Sequence, residues 1–154
     1  MSYHIYSFEK LDVYKLARIF KIDIRKISMD FPKSERYELT SQLRRSADSI
    51  SANIAEGSGR ASNFDQAHFT NISYSSAMET IDHLNTAIDM EYIDKMTYEK
   101  TRLQIDEISN KLNSLYKYQL GNKETLKNKR WFFIFEESKR SRFKEREPTS
   151  RLGS

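Results

Sequence analysis

Cysteine is absent from this chain, and glycine and proline are scarce, with four and two residues in 154. Without thiols there is no disulfide framework, no cysteine-ligated zinc ribbon and no thiol nucleophile. So few turn residues argue against a β-sandwich, and they leave no glycine-rich nucleotide loop. The stretch "EGSGRAS", from Glu56 to Ser62, has two glycines but lacks the lysine and the preceding strand of a phosphate-binding loop. The serines are numerous, yet none sits in a nucleophile-elbow context. Long apolar runs are missing at the start as well. "MSYHIYSFEKLDVYKL" is interrupted by Glu9, Lys10 and Asp12, so neither a signal peptide nor a membrane span is expected there, and the expected setting is the cytoplasm.

Histidine is also rare, limited to His4, His68 and His83. Bundle metalloenzymes place Glu-x-x-His pairs inward to hold two metals. Here only Asp65 with His68, and Glu79 with His83, come close to that spacing, without companion carboxylates. The expectation is no metal, no cofactor and no catalysis.

What the chain does have is helical periodicity. From about Phe8 to Met29, Val13, Ala17, Phe20, Ile24 and Ile27 recur at spacings of four and three, with Leu11 and Leu16 widening the face. Pro32 ends this segment, and Ser34 is a candidate cap for a second helix, with Glu35 in its first turn. The second helix carries Leu43, Ala47, Ile50 and Ile54 and is expected to stop at Gly57 and Gly59. Ser62 is the candidate cap of a third helix, about Asn63 to Met90, with Phe69, Ile72, Ser76, Ile81, Leu84 and Ile88 as its expected seam. Its middle, "SYSSAM", is built of small residues that permit close approach. Asp94 is the candidate cap of a fourth, whose seam is Tyr98, Ile105, Ile108, Leu112 and Leu115 and whose stop is Gly121. Short connections between long helices predict an all-α, antiparallel up-down-up-down four-helix bundle over residues 1–120.

Residues 121–154 read as a separate basic, aromatic C-terminal extension, partly disordered by composition. They hold ten Lys or Arg against five Asp or Glu, leaving the first 120 residues at a net charge of −1. Lys127, Lys129 and Arg130 precede the run from Trp131 to Phe135, and Lys139, Arg140 and Arg142 follow it. Cations neutralise phosphates and aromatic faces stack on unpaired bases, so Lys127, Lys129, Arg130, Trp131, Lys139, Arg140 and Arg142 are candidate nucleic-acid contacts. Arg44, expected to point outward, and Arg60 are candidate outer support. The competing reading is that the apolar run docks on a protein. Arg18, Lys21, Arg25 and Lys26 could add a basic surface, but acidic residues are interleaved with them.

One feature of the second helix needs its own explanation. Beside the apolar stripe runs a polar row, Gln42, Arg45, Ser49, Asn53 and Glu56. Ser49 and Asn53 are short and poor helix formers, so propensity does not favour them. The expectation is a structural or interface role, pairing with another helix of the same subunit, through Glu79 or other polar residues of the third, or with a second subunit.

"FPKSERYELTSQLRRSADSISANIAEGSGR" resembles the signature of the four-helix-bundle family named after the 23S ribosomal RNA intervening-sequence protein. The matching features are Phe31, Pro32 and Glu35, then Tyr37 and Leu39, the block from Ser41 to Arg45, and the block from Asn53 to Gly57. The resemblance covers residues 8 to about 120. It departs twice in the third helix, where Ser73, Tyr74, Ser75 and Ser76 stand in place of the family's Ala-x-Gly-Ser before Glu79, and the exchange of glycine for Ser75 bears on how closely two helices approach. The resemblance implies a homo-oligomer, a ring of typically five bundles around a channel, in a family partly encoded within ribosomal RNA genes. A related branch is the accessory protein of diversity-generating retroelements, which binds reverse transcriptase and nucleic acid through a basic surface. A bundle at −1 fits that branch poorly. The reading is thus a non-enzymatic oligomer that binds RNA or a ribonucleoprotein partner, with a protein-interaction scaffold as the alternative.

Overall fold

Four long helices account for most of the chain in the computed structural model, which describes residues 1–121. They are α1 (Asp12–Ile27), α2 (Leu39–Ser58), α3 (Asn63–Asp89) and α4 (Lys95–Leu120), and there is no strand among the described residues. Each helix packs against two others, α1 on α2 and α4, and α3 on the same two. Along the α2–α3 and α3–α4 contacts the residue numbers run in opposite senses. Ser46, Ser49 and Ile50 of α2 meet Thr80, Ser76 and Ser73 of α3, while Thr70 and Asn85 of α3 meet Gln119 and Tyr98 of α4.

The core follows the expected stripes on α1 and α2. Val13, Ala17, Phe20 and Ile24 are buried on one, and Leu43, Ala47, Ile50 and Ile54 on the other. Ile105, Ile108 and Leu112 of α4 join them together with Tyr116, while Tyr98 and Leu115 are only half-buried. Burying each large side chain contributes about 1.5–3 kcal/mol, so these stripes dominate the stability of the bundle.

The third helix departs from expectation. Phe69, Ile72, Ile81 and Ile88 are half-buried flanks. Its buried line is Ala67, Thr70, Ser73, Ala77, Thr80, Leu84 and Ala87, with Tyr74 and Ser76 beside it. Small residues let the α3 backbone approach its neighbours, and the larger apolar residues close the sides. The hydroxyls are satisfied along their own helix: Thr70, Ser76 and Thr80 donate to the carbonyls of Gln66, Ile72 and Ser76 at 3.2, 3.1 and 2.8 Å. Of the departures from the family pattern, Ser75 is exposed, whereas Ser73 is buried and donates to the Ile50 carbonyl of α2 at 2.7 Å.

Helix termini give a second group of outcomes. Ser62 and Asp94 cap as expected, accepting from Asp65 N–H at 3.1 Å and Thr97 N–H at 2.7 Å. Gly121 ends α4 in the left-handed conformation at φ 62°. Ser34 does not cap α2. Residues Lys33–Tyr37 form a 3-10 turn, and α2 begins only at Leu39. Glu35 takes over the role, accepting from Leu39 N–H at 3.3 Å and from the Tyr92 hydroxyl at 3.0 Å. Gly57 does not stop α2 either. It is buried inside the helix, and a Cβ there would lie 2.8 Å from the Phe69 Cβ, so its place is set by the close crossing of α2 and α3.

Candidate interaction surface

The polar row of α2 divides into an inner and an outer part. Asn53 Nδ2 donates to the Ser49 carbonyl at 2.8 Å and to Ser49 Oγ at 2.9 Å. Ser49 Oγ lies 2.9 Å from Ser76 Oγ, which in turn donates to the Ile72 carbonyl at 3.1 Å. Each hydroxyl has one proton, so the bonds run in one direction, from Asn53 through Ser49 and Ser76 to Ile72. Just above, Thr80 Oγ1 sits 2.9 Å from Ser46 Oγ, and Ser73 donates to the Ile50 carbonyl at 2.7 Å. The short side chains are therefore explained by hydrogen bonding across α2 and α3 within one subunit.

Glu79 is not their partner. It stands 3.5 Å from His83 Nε2, four residues along its own helix, and Ser76 serves the α2 row instead. The outer part of the row faces solvent, where Arg45 donates to Gln42 Oε1 at 2.8 Å and Glu56 pairs with Arg60 at 2.6 Å. The Arg60 guanidinium also lies over the Phe69 ring at 4.4 Å, so its charge is shared between a carboxylate and an aromatic face.

Arg44 is half-buried rather than outward-pointing. Its Nε donates to Ser28 Oγ at 2.7 Å, and Ser28 donates to the Arg25 carbonyl at 3.2 Å. A cation at the C-terminal end of α1 satisfies orphan carbonyls and opposes the helix dipole. The packing of α2 against α1 brings it there, an event no local spacing records. Lys127, Lys129, Arg130, Trp131, Lys139, Arg140 and Arg142 lie outside the described residues.

Titration is perturbed at two connections. The Tyr92 hydroxyl is held above its ordinary pKa by its hydrogen bond to Glu35, with burial and the carboxylate charge adding to the rise. The Asp94 carboxyl is lowered by its hydrogen bonds with Thr97. Both groups hold helix ends in place. Among the described residues no three His, Asp or Glu side chains gather as a metal-binding group, and no helix is long and apolar enough to cross a membrane.

The most open chemistry lies on α1. A shallow groove there is lined by Lys15, Arg18, Lys21 and Lys26 around Ile19 and Ile22, both of which are exposed. Asp23 lines the same groove and accepts from the neutral Gln104 amide of α4 at 2.9 Å, so four cations stand there against one carboxylate, while Asp48 of α2 pairs with Arg25. In the sequence Arg18, Lys21, Arg25 and Lys26 read as a possible basic surface with acids interleaved, without Lys15, Ile19 and Ile22 being placed on the same face. A period-3.6 reading of α1 that set aside the buried stripe would have exposed it.

Comparison with known proteins agrees with this architecture. The chain is similar to the crystal structure, at 1.70 Å resolution, of a protein with unknown function from the S23 ribosomal protein family of Bacteroides thetaiotaomicron VPI-5482. The TM-score is 0.64 and the identity 29%, covering 68% of this chain and 95% of that one. No curated protein matches the chain. The family model described as 23S rRNA-intervening sequence protein matches residues 9–114, from the 3-10 turn before α1 to the last turns of α4. That family is non-enzymatic, as the lack of catalytic motifs in this sequence led us to expect. With residues 9–114 matched, well over half of its length, the chain belongs to the 23S rRNA-intervening sequence protein family.

Proposed function

We propose that this chain is an antiparallel up-down-up-down four-helix bundle that assembles into a cytoplasmic homo-oligomer, a pentameric ring, and binds RNA or a ribonucleoprotein partner. The observation that carries the reading is the partition of charge in a member of a family named for ribosomal RNA. The bundle is near neutral and the extension after Gly121 carries a net charge of +5. Lys127, Lys129, Arg130, Lys139, Arg140 and Arg142 supply phosphate contacts and Trp131 a stacking face. Several copies on one ring raise avidity without a tight individual site. Exposed Met96 and Leu103 on α4 supply apolar surface for contact between copies. Arg60 adds a cation at the α2–α3 corner. In this reading Gln42, Arg45 and Glu56 act at the outer surface, while Ser49 and Asn53 fix the bundle itself.

A protein-interaction scaffold is the second reading, favoured by the unbroken run from Trp131 to Phe135. It includes the accessory role toward a reverse transcriptase that the retroelement branch suggests. Salt separates the two. Anisotropy of a labelled ribosomal RNA fragment against the full chain is expected to show binding that weakens steeply as salt rises, and Lys127, Lys129 and Arg130 changed together to Gln flatten that dependence. Absence of RNA binding at low salt contradicts the RNA reading. Light scattering of the full chain tests the ring, with a mass of five 18.3 kDa chains expected and a monomer contradicting it.

A further inference from the structure

The segment before α1 carries aromatic rings that the bundle does not use. His4 meets Tyr6 edge to face at 4.8 Å between centroids, Tyr6 lies nearly parallel to Phe8 at 6.2 Å, and Phe8 meets Tyr14 edge to face at 4.9 Å. The Arg18 guanidinium then lies over the Tyr14 ring at 5.9 Å. The row is tied down at its start, because Tyr6 N–H donates to Glu9 Oε1 at 2.9 Å within the 3-10 turn Ser7–Lys10. Tyr6 and Tyr3 are nonetheless 59% and 83% exposed. A soluble bundle gains little from leaving rings in water, and these rings are held in order by one another.

The row runs directly into the cationic groove of α1. Tyr14, Arg18 and Lys21 follow one another at spacings of four and three, so they share a face. Lys15 and Lys26 flank it; Asp23 lines the same groove and Asp12 lies one turn before Lys15, so the cations outnumber the acids on this face. From Tyr14 to Lys26 the cationic part spans about 18 Å at the helical rise. Aromatic faces followed by a surplus of cations suit bases followed by a phosphate backbone, in a ligand whose bases are not already stacked in a duplex.

We infer that the aromatic row His4–Tyr6–Phe8–Tyr14 and the cationic face of α1 form one binding strip for single-stranded nucleic acid. Tyr6 stacks on a base, while Lys15, Arg18 and Lys21 neutralise phosphates. The inference rests on the RNA-binding reading but places contacts on the bundle, at a site separate from the extension. It predicts a preference for unpaired strands that phosphate contacts alone do not give.

The test is fluorescence anisotropy of the full chain with a labelled single-stranded oligouridine, and with an RNA duplex of equal length, across a salt series. The single strand is expected to bind more tightly. Tyr6→Ala weakens it by about fivefold or more, whereas Tyr6→Phe retains binding because the ring stacks and the hydroxyl does not. Arg18→Gln with Lys21→Gln flattens the slope of log affinity against log salt by about 1.4, the loss of two single-strand phosphate contacts. Tyr6, Arg18 and Lys21 are all at least partly solvent-facing in the native chain, and unchanged helical circular dichroism confirms that each variant is folded. Full binding by Tyr6→Ala and by the Arg18/Lys21 pair, with loss on Lys127/Lys129/Arg130→Gln, overturns the strip and leaves the RNA reading intact. Equal binding of single strand and duplex also overturns the strip alone. No binding of any RNA by the native chain overturns both.

Discussion

The contact between α2 and α3 and the outer face of α1 are both rich in polar residues, and they use them in opposite ways. Between α2 and α3, Ser46, Ser49, Asn53, Ser73, Ser76 and Thr80 spend their hydrogen bonds on each other and on nearby carbonyls, at 2.7–3.1 Å. On α1, Lys15, Arg18, Lys21 and Lys26 face water around two exposed isoleucines, beside a row of ordered aromatic rings. The difference teaches that polarity by itself does not mark a surface for a partner. What marks it is donor capacity left over after the fold has been satisfied. By that measure α2 is part of the scaffold and α1 is the more open to a ligand.

The sharpest way to break this comparison is to put bulk where α2 and α3 touch. Ser73 is fully buried with its hydroxyl on the Ile50 carbonyl, so Ser73→Leu is expected to lose about 3 kcal/mol in denaturant unfolding through overpacking. A loss below about 0.5 kcal/mol means that the helices do not cross so closely. Gly57→Ala comes next. The clash with the Phe69 Cβ outweighs the gain of about 1 kcal/mol in helix propensity, leaving a net destabilisation of about 1–2 kcal/mol, and a stabilised variant contradicts this packing. Smaller still, Arg45→Ala removes a solvent-facing pair with Gln42, and its unfolding midpoint should correspond to a change within about 0.5 kcal/mol. A large loss there places Arg45 in a contact outside the single chain.

The smallest effect is one of pH. Asp94 has a lowered folded-state pKa because it accepts from Thr97. Its contribution is therefore fully present above the ordinary carboxylate pKa and fades as pH falls through the lowered folded value. Thermal melts over an acid series should show Asp94→Asn losing part of the native chain's decline in stability. Identical acid profiles contradict the capping role.

How much of this was legible in the sequence depended on which physics set each position. Where burial of large apolar groups decides, as on α1, α2 and α4, period-3.6 spacing placed Phe20, Ile24, Leu43, Ile50, Ile108 and Leu112 correctly. On α3 the pattern pointed to Phe69, Ile72 and Ile81, because a hydropathy reading discounts Ser and Thr even when their hydroxyls are satisfied by i−4 carbonyls. Caps that act over three residues, Ser62 and Asp94, were readable. Glu35, whose second partner is Tyr92 on a distant loop, was not readable as a cap. The same holds for function. The polar row on α2 stood out locally, but its meaning depended on Ser76 across the bundle. On α1, the partners of Asp23 and Arg25, Gln104 and Asp48, come from α4 and α2, which no local spacing records.

One measurement compares exposed aromatics within a single sample. Hydroxyl-radical footprinting of the full chain, with and without bound oligouridine, reads Tyr3 and Tyr6 against Tyr37 and Tyr118, which are 82% and 84% exposed at other parts of the bundle. The account predicts protection at Tyr3, Tyr6 and Tyr14 on binding, with Tyr37 and Tyr118 unchanged. Protection confined to Tyr37, Tyr118 or the residues after Gly121, with Tyr6 as reactive as before, contradicts it.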